Sequence, residues 1–349
     1  MKPMNLSLSH EIIAEIAEGK TYQEIGILTD KKAKTIEKYV KNFCDSNTVN
    51  ALNREQIICF WGSYILAVVS DLGLISEQIS ILEHSRREGN VWEVRHTTEK
   101  YVTILNSFIR RNPNDPRIKD IIKCLADMRG IYGWAVYNSS MPVNIGKILP
   151  QIINDLAISG ENLGDRNLVY QGLMLKAHYA YVKGDFQRKK EYSALAEHIY
   201  TPKDTYSALS ATLTNIVSHG CLKDKKGLLA AEKRLEIIQK RRSISKMDEA
   251  YILQARGRGR IFLPNIDDKS EGFKFLNQAF EIYKTTPLSD RFLLVEASII
   301  KGLLEAMREL DTIDIVLVKE CKNRNKNIRE CHILRHSNEI AGLANNMLM

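Results

Sequence analysis

The sequence predicts an all-α protein, and three observations carry that expectation. Apolar residues recur at intervals of three and four along most of the chain, the period of a helix face, while strict alternation is rare. There are only eight prolines, and most fall at polar breaks: Pro113 and Pro116, Pro142 after Asn138-Ser139-Ser140, then Pro202, Pro264 and Pro287. Apolar residues make up 44% of the chain, enough for a sizeable core and too many for a disordered one. The breaks cut the chain into helices of roughly 14 to 20 residues, ordinary for a helical array.

The first zone spans residues 1–46. Its first helix carries Ile12, Ile13, Ile16 and Ala17 on one face and stops at Gly19-Lys20. Thr21 and Glu24 stand at capping-box spacing, which starts a short second helix containing Ile25 and Gly26. A turn through Leu28-Thr29-Asp30 follows, with Asp30 expected to cap a third helix. That helix turns Ile36, Val40 and Phe43 inward. A small residue at position 26 lets the second and third helices approach closely. Charge is segregated along the zone. Glu11, Glu15, Glu18 and Glu24 lie on the first two helices, and Lys31, Lys32, Lys34, Lys38 and Lys41 on or just before the third, where Glu37 is the only acid. Three helices with a tight turn between the last two form the helix-turn-helix plan, and its lysines supply the phosphate attraction of a DNA-binding helix.

The polar stretch Asp45–Asn50 reads as a linker to a second zone, 52–326, which is a series of helical hairpins. Helices expected at 165–182, 204–219 and 248–262 are each followed by a turn and a second helix. These turns begin at Gly184-Asp185-Phe186, Asp224-Lys225-Lys226 and Asp268-Lys269-Ser270, with small and aromatic residues on one face of the helix after each. The period of about 40 residues exceeds the 34 of the standard tetratricopeptide unit. The unit is therefore tetratricopeptide-like, and close in physical terms to any stack of hairpins that bury one another's apolar faces. The last segment, 327–349, carries Ile333, Ile340, Leu343 and Met347 near helical spacing. It is expected to cap the array or to form a dimer contact.

Most function classes find no support. Six cysteines, at 44, 59, 124, 221, 321 and 331, form no C-x-x-C pair and no zinc spacing. His332 and His336 stand four apart and could share a helix face, too little for a metal site, so no metal and no cofactor are expected. Phosphate-binding glycine loops and nucleophile motifs are missing, and an enzyme is not expected. Arg256, Arg258 and Arg260 offer a site for an anionic ligand or peptide carboxylate, against the plainer reading of a solvated or salt-bridged edge. Asn215 and Arg256 are the candidate ligand contacts. The stretch Ile57–Val69, broken by Gly62 and Ser63, falls short of the roughly 20 residues that span a bilayer. With no leader pattern at the start, the expectation is a cytoplasmic chain without a membrane partner. The formal net charge of +8 favours an anionic partner modestly.

At residue level the first zone resembles the LuxR-type helix-turn-helix. Ile12-Ile13-Ala14-Glu15-Ile16-Ala17-Glu18-Gly19 is similar to the end of that family's first helix. Glu24-Ile25-Gly26 stands where the family has Glu-Ile-Ala, and Thr35-Ile36, Tyr39-Val40 and Phe43 where it has Thr-Val, His-Val and Ile, all without a gap. Ser46-Asn47-Thr48 replaces the family's Lys-Leu-Gly, Glu37 takes a place usually basic, and the zone is N-terminal rather than C-terminal. The resemblance implies that Lys34, Thr35 and Lys38 face the major groove of double-stranded DNA, with Lys31, Lys32 and Lys41 nearer the phosphates. The domain order also resembles peptide-responsive quorum-sensing regulators of bacteria and phages, the arbitrium receptors among them. This implies a homodimeric transcription regulator whose array senses a peptide or protein. The alternative expectation is a helical-repeat scaffold or adaptor without sequence-specific DNA binding.

Overall fold

The computed structural model describes residues 6–46, 54–139, 142–199, 205–241, 243–287, 293–330 and 333–348. Every regular element among them is an α-helix. The chain divides into two compact units, residues 1–83 with 93–132 and residues 84–92 with 133–349.

The first unit begins with α1 (Leu6–Ala17), α2 (Tyr22–Thr29), α3 (Ala33–Ser46) and α4 (Arg54–Val69). It continues through the larger parts of α5 (Leu72–Glu88), α6 (Val91–Arg111) and α7 (Ile118–Ser139). Helix α1 packs against both α3 and α4. It therefore buries more than one stripe: Ser9, His10, Ile12, Ile13, Ala14 and Ile16 are all inside. His10 meets the Phe43 ring edge-on at 5.1 Å and the Trp61 ring at 6.1 Å, so α1, α3 and α4 share one aromatic core. Residues 1–46 accordingly do not form a compact unit alone. The linker read at 45–50 falls partly outside the described residues, since α3 runs to Ser46 and 47–53 are not described.

The second unit holds α8 (Pro142–Leu163), α9 (Arg166–Val182), α10 (Phe186–Ile199), α11 (Thr205–Cys221) and α12 (Lys225–Gln239). After them come α13 (Lys246–Ile261), α14 (Ile266–Thr285), α15 (Leu293–Glu309), α16 (Ile315–Glu330) and α17 (Leu334–Leu348). From α9 onward each odd-numbered helix packs on the even one after it, while α11 also packs on α13, α13 on α15 and α15 on α17. Local sequence sets the breaks. Gly184 takes a positive φ of 75° between α9 and α10, and Asp165, Asp224 and Asn265 cap α9, α12 and α14 through their side chains. Ser245 and Asp248 form a capping box at α13. Pro142 opens α8, whereas Pro150 lies inside it.

Glycine decides how closely these helices cross. A Cβ on Gly220 of α11 would run into the Gly259 carbonyl of α13, and a Cβ on Gly257 would come 2.8 Å from the Gly272 carbonyl of α14. The Gly257-Arg258-Gly259 run is thus a packing seam that holds α13 against α11 and α14. Leu209, Leu213, Ile216, Leu228, Leu235 and Ile252 fill the core beside it. At the chain end, Ile333, Ile340 and Ala344 are buried where α17 packs on α15 and α16. A boundary at 327 falls inside α16, and the closing element is α17 alone.

Among the described residues no single helix is long and apolar enough to cross a membrane; α4 and α5 pass that test only as a pair bent by 78°. The described cysteines, 44, 59, 124, 221 and 321, are free thiols.

Candidate nucleic-acid interface

The α2–α3 surface is built by three local devices. Thr21 and Glu24 form the capping box, with the Thr21 amide donating to Glu24 Oε2 at 2.7 Å and the Glu24 amide to Thr21 Oγ1 at 3.3 Å. Asp30 has a different place from the one its residue type suggests. It adopts the left-handed conformation, φ 54° and ψ 45°, and closes α2 rather than capping α3. Asp and Asn share the cap and left-handed preferences, so the sequence alone does not separate the two roles. In the turn, the Lys31 amide donates to the Gly26 carbonyl at 2.9 Å. A Cβ on residue 26 would lie 2.6 Å from the Lys31 carbonyl oxygen, so the tight turn requires glycine there.

Helix α3 then has two faces. Ile36, Val40 and Phe43 are buried. Lys34, Lys38 and Lys41, spaced by four and three, share the opposite side and are exposed; Lys31 and Lys32 are exposed at its lead-in, and Thr35 is half-buried on its flank. Among the described residues none of these five lysines is paired with a carboxylate. Two acids at the end of the first helix are engaged elsewhere: Glu15 by Lys20, and Glu18, just past α1, by Arg110 of α6 at 2.6 Å. The Glu11 pKa is raised, by desolvation first and then by Glu99 and Glu15.

The candidate ligand residues of the array are otherwise placed. Asn215 is buried and occupied: it accepts from Ser193 Oγ at 3.0 Å and donates to Glu197 Oε2 at 2.7 Å. Arg256 stands 3.4 Å from Glu232 and over the Phe275 ring. Arg260 grips Glu232 through two nitrogens, one at 2.8 Å, and reaches Glu271 at 2.8 Å. Arg258 donates to Tyr181 Oη at 2.6 Å and lies 3.4 Å from Glu305. Arg258 and Arg260 are buried, so the arginine run is an interior network rather than a solvated edge.

Sequence reasoning missed the company Arg258 keeps. Lys189 of α10 and Lys301 of α15 converge with it on the Tyr181 ring, at 4.6 and 5.7 Å from the ring centre. Lys301 carried one legible signal, a lysine inside the apolar run Ile299-Ile300-Lys301-Gly302-Leu303. His336 is buried beside Arg335, His332 lies outside the described residues, and no cluster that could hold a metal occurs among those described.

No family model, curated protein or solved structure matches this chain.

Proposed function

We propose that this chain is a DNA-binding transcriptional regulator. In this reading α1–α3 form a LuxR-like helix-turn-helix. The hairpins from α9 to α17 form a tetratricopeptide-like array that senses a peptide or protein and sets the spacing of two such modules in a homodimer. The observation that carries it is the α3 face: Lys34, Lys38 and Lys41 exposed and unpaired opposite a buried Ile36-Val40-Phe43 stripe, with Lys31 and Lys32 at its start. A helix of this kind offers phosphate contacts from several lysines and few base-reading side chains, so affinity should exceed selectivity. The order of helices supports the array, since alternate helices pack on one another as stacked hairpins do.

A second reading, a helical-repeat scaffold, is favoured by one feature. Ile27 and Leu28 on α2 are 82% and 62% exposed, an apolar pair suited to a protein partner. Retention on a random pool of duplex DNA separates the two. The regulator reading predicts retention that Lys34→Ala with Lys38→Ala sharply weakens while the helical circular dichroism stays unchanged. Retention unaffected by the double substitution overturns it.

A further inference from the structure

Four cations from four helices of the second unit meet in its interior. Lys189 is 3% exposed, Arg258 7%, Lys301 7% and Arg335 4%. Two have acids to answer them: Arg258 lies 3.4 Å from Glu305, and Lys301 lies 2.8 Å from Glu339 and 3.6 Å from Glu305. The other two have none among the described residues. Lys189 has the Tyr181 ring beneath its ammonium and the Cys221 thiol near it, but no carboxylate among the described residues. Arg335 lies over the Tyr137 ring at 4.1 Å and donates to His336 Nε2 at 2.8 Å, while its Nε finds no acceptor; Arg258 Nε is likewise without one.

The four act on common neighbours. His178, held 3.3 Å from Tyr137 Oη, feels Lys189, Arg335 and Arg258, and His336 feels Arg335, Lys301 and Arg258. Both imidazoles are held neutral, by burial first and by these cations second. They add no charge and can supply acceptors or donors. Burial, then Arg258 and Lys301, lowers the Lys189 pKa to about 8, so the ammonium costs stability where it stands. Unpaired buried cations are expensive, and Lys189 and Arg335 both act on His178, so an anion bound among the four cations would offset that cost.

We propose that this cluster binds a small dianionic group, a phosphate ester or a dicarboxylate, through Lys189, Arg258, Lys301 and Arg335, with the Tyr181 hydroxyl beside them. Tyr181 is the half-buried member of the cluster, and its hydroxyl accepts from Arg258 at 2.6 Å. Such a ligand binds the folded state alone, so it stabilises the chain in a saturable, concentration-dependent way.

The test is a thermal-shift titration of the full chain with inorganic phosphate and, separately, with succinate, against sodium chloride of equal ionic strength. The proposal expects a saturable rise in Tm of at least about 3 °C with one of the two dianions. Response to phosphate assigns the phosphorylated class, and response to succinate alone the dicarboxylate class. Lys189→Met should have a higher Tm than the parent without ligand and should lose the response, and Arg335→Gln should lose it too. Absence of a saturable shift with both dianions, or a shift that survives in both variants, overturns the proposal. No DNA enters the experiment, so its outcome is independent of the reading of α3.

Discussion

At the scale of single residues, buried charge and close contact decide the largest effects. The Arg260–Glu232 pair lies inside the second unit, so Glu232→Ala leaves Arg260 with only the more exposed Glu271 beside it and takes the Glu232 carboxylate from Arg256 as well. The expected loss is about 3 kcal/mol, read from the midpoint of a urea transition at unchanged slope. His178 makes a pH prediction. Its folded pKa is pushed down to about 3, by burial first and then by Lys189, Arg335 and Arg258, from an ordinary 6.5. Between those values the unfolded chain takes up a proton that the folded chain refuses. Stability is therefore intact above pH 6.5 and falls with acid through this window, by about 1.4 kcal/mol per pH unit for this one group. His178→Gln should flatten the decline by that slope, measured as urea midpoints across the acid range; an unchanged pH dependence would show that His178 titrates normally in the fold. Gly26 was legible in the sequence because its neighbours in the turn are also its neighbours in the chain. Lys189 was not, because nothing near it in sequence announces Arg258 and Lys301, which reach it only through helix packing.

Helices form the next scale, and here the sequence said more. The expected helices at 165–182, 204–219 and 248–262 correspond to α9, α11 and α13, since periodic apolar faces and Gly, Asp or Pro breaks are local signals. What that pattern could not show is which helix crosses which, and how closely. Gly220 and Gly259 settle this for α11 and α13, where the backbones approach too near for any side chain. Gly220→Ala must spread the pair, and a loss of about 3 kcal/mol or more is expected by thermal or chemical denaturation. A variant as stable as the parent would mean that the crossing is looser than described. The first zone shows the same division. Its capping box and the inward face of α3 were readable, but the role of Asp30 and the packing of α1 on α4 depend on conformation and on residues distant in the chain.

Over the whole molecule, the account joins a lysine-faced helix in one unit to a stack of hairpins with a cationic interior in the other. The two carry positive charge differently. On α3 it is exposed and, among the described residues, without a carboxylate partner, as the proposed phosphate contacts require; in the second unit it is buried, as the proposed small-anion site requires. The net charge of +8 is a balance over the whole chain, so composition pointed to an anionic partner without separating a surface from an interior site. The measurement that bears most directly on the central claim is the salt dependence of duplex binding by the full chain and by the Lys34→Ala, Lys38→Ala variant. Each lysine that neutralises a phosphate contributes about −0.9 to the slope of log K against log salt. The account predicts a steep slope for the parent, and one shallower by about two in the variant together with weaker binding at every salt concentration. Equal slopes and equal affinities for the two proteins would contradict it.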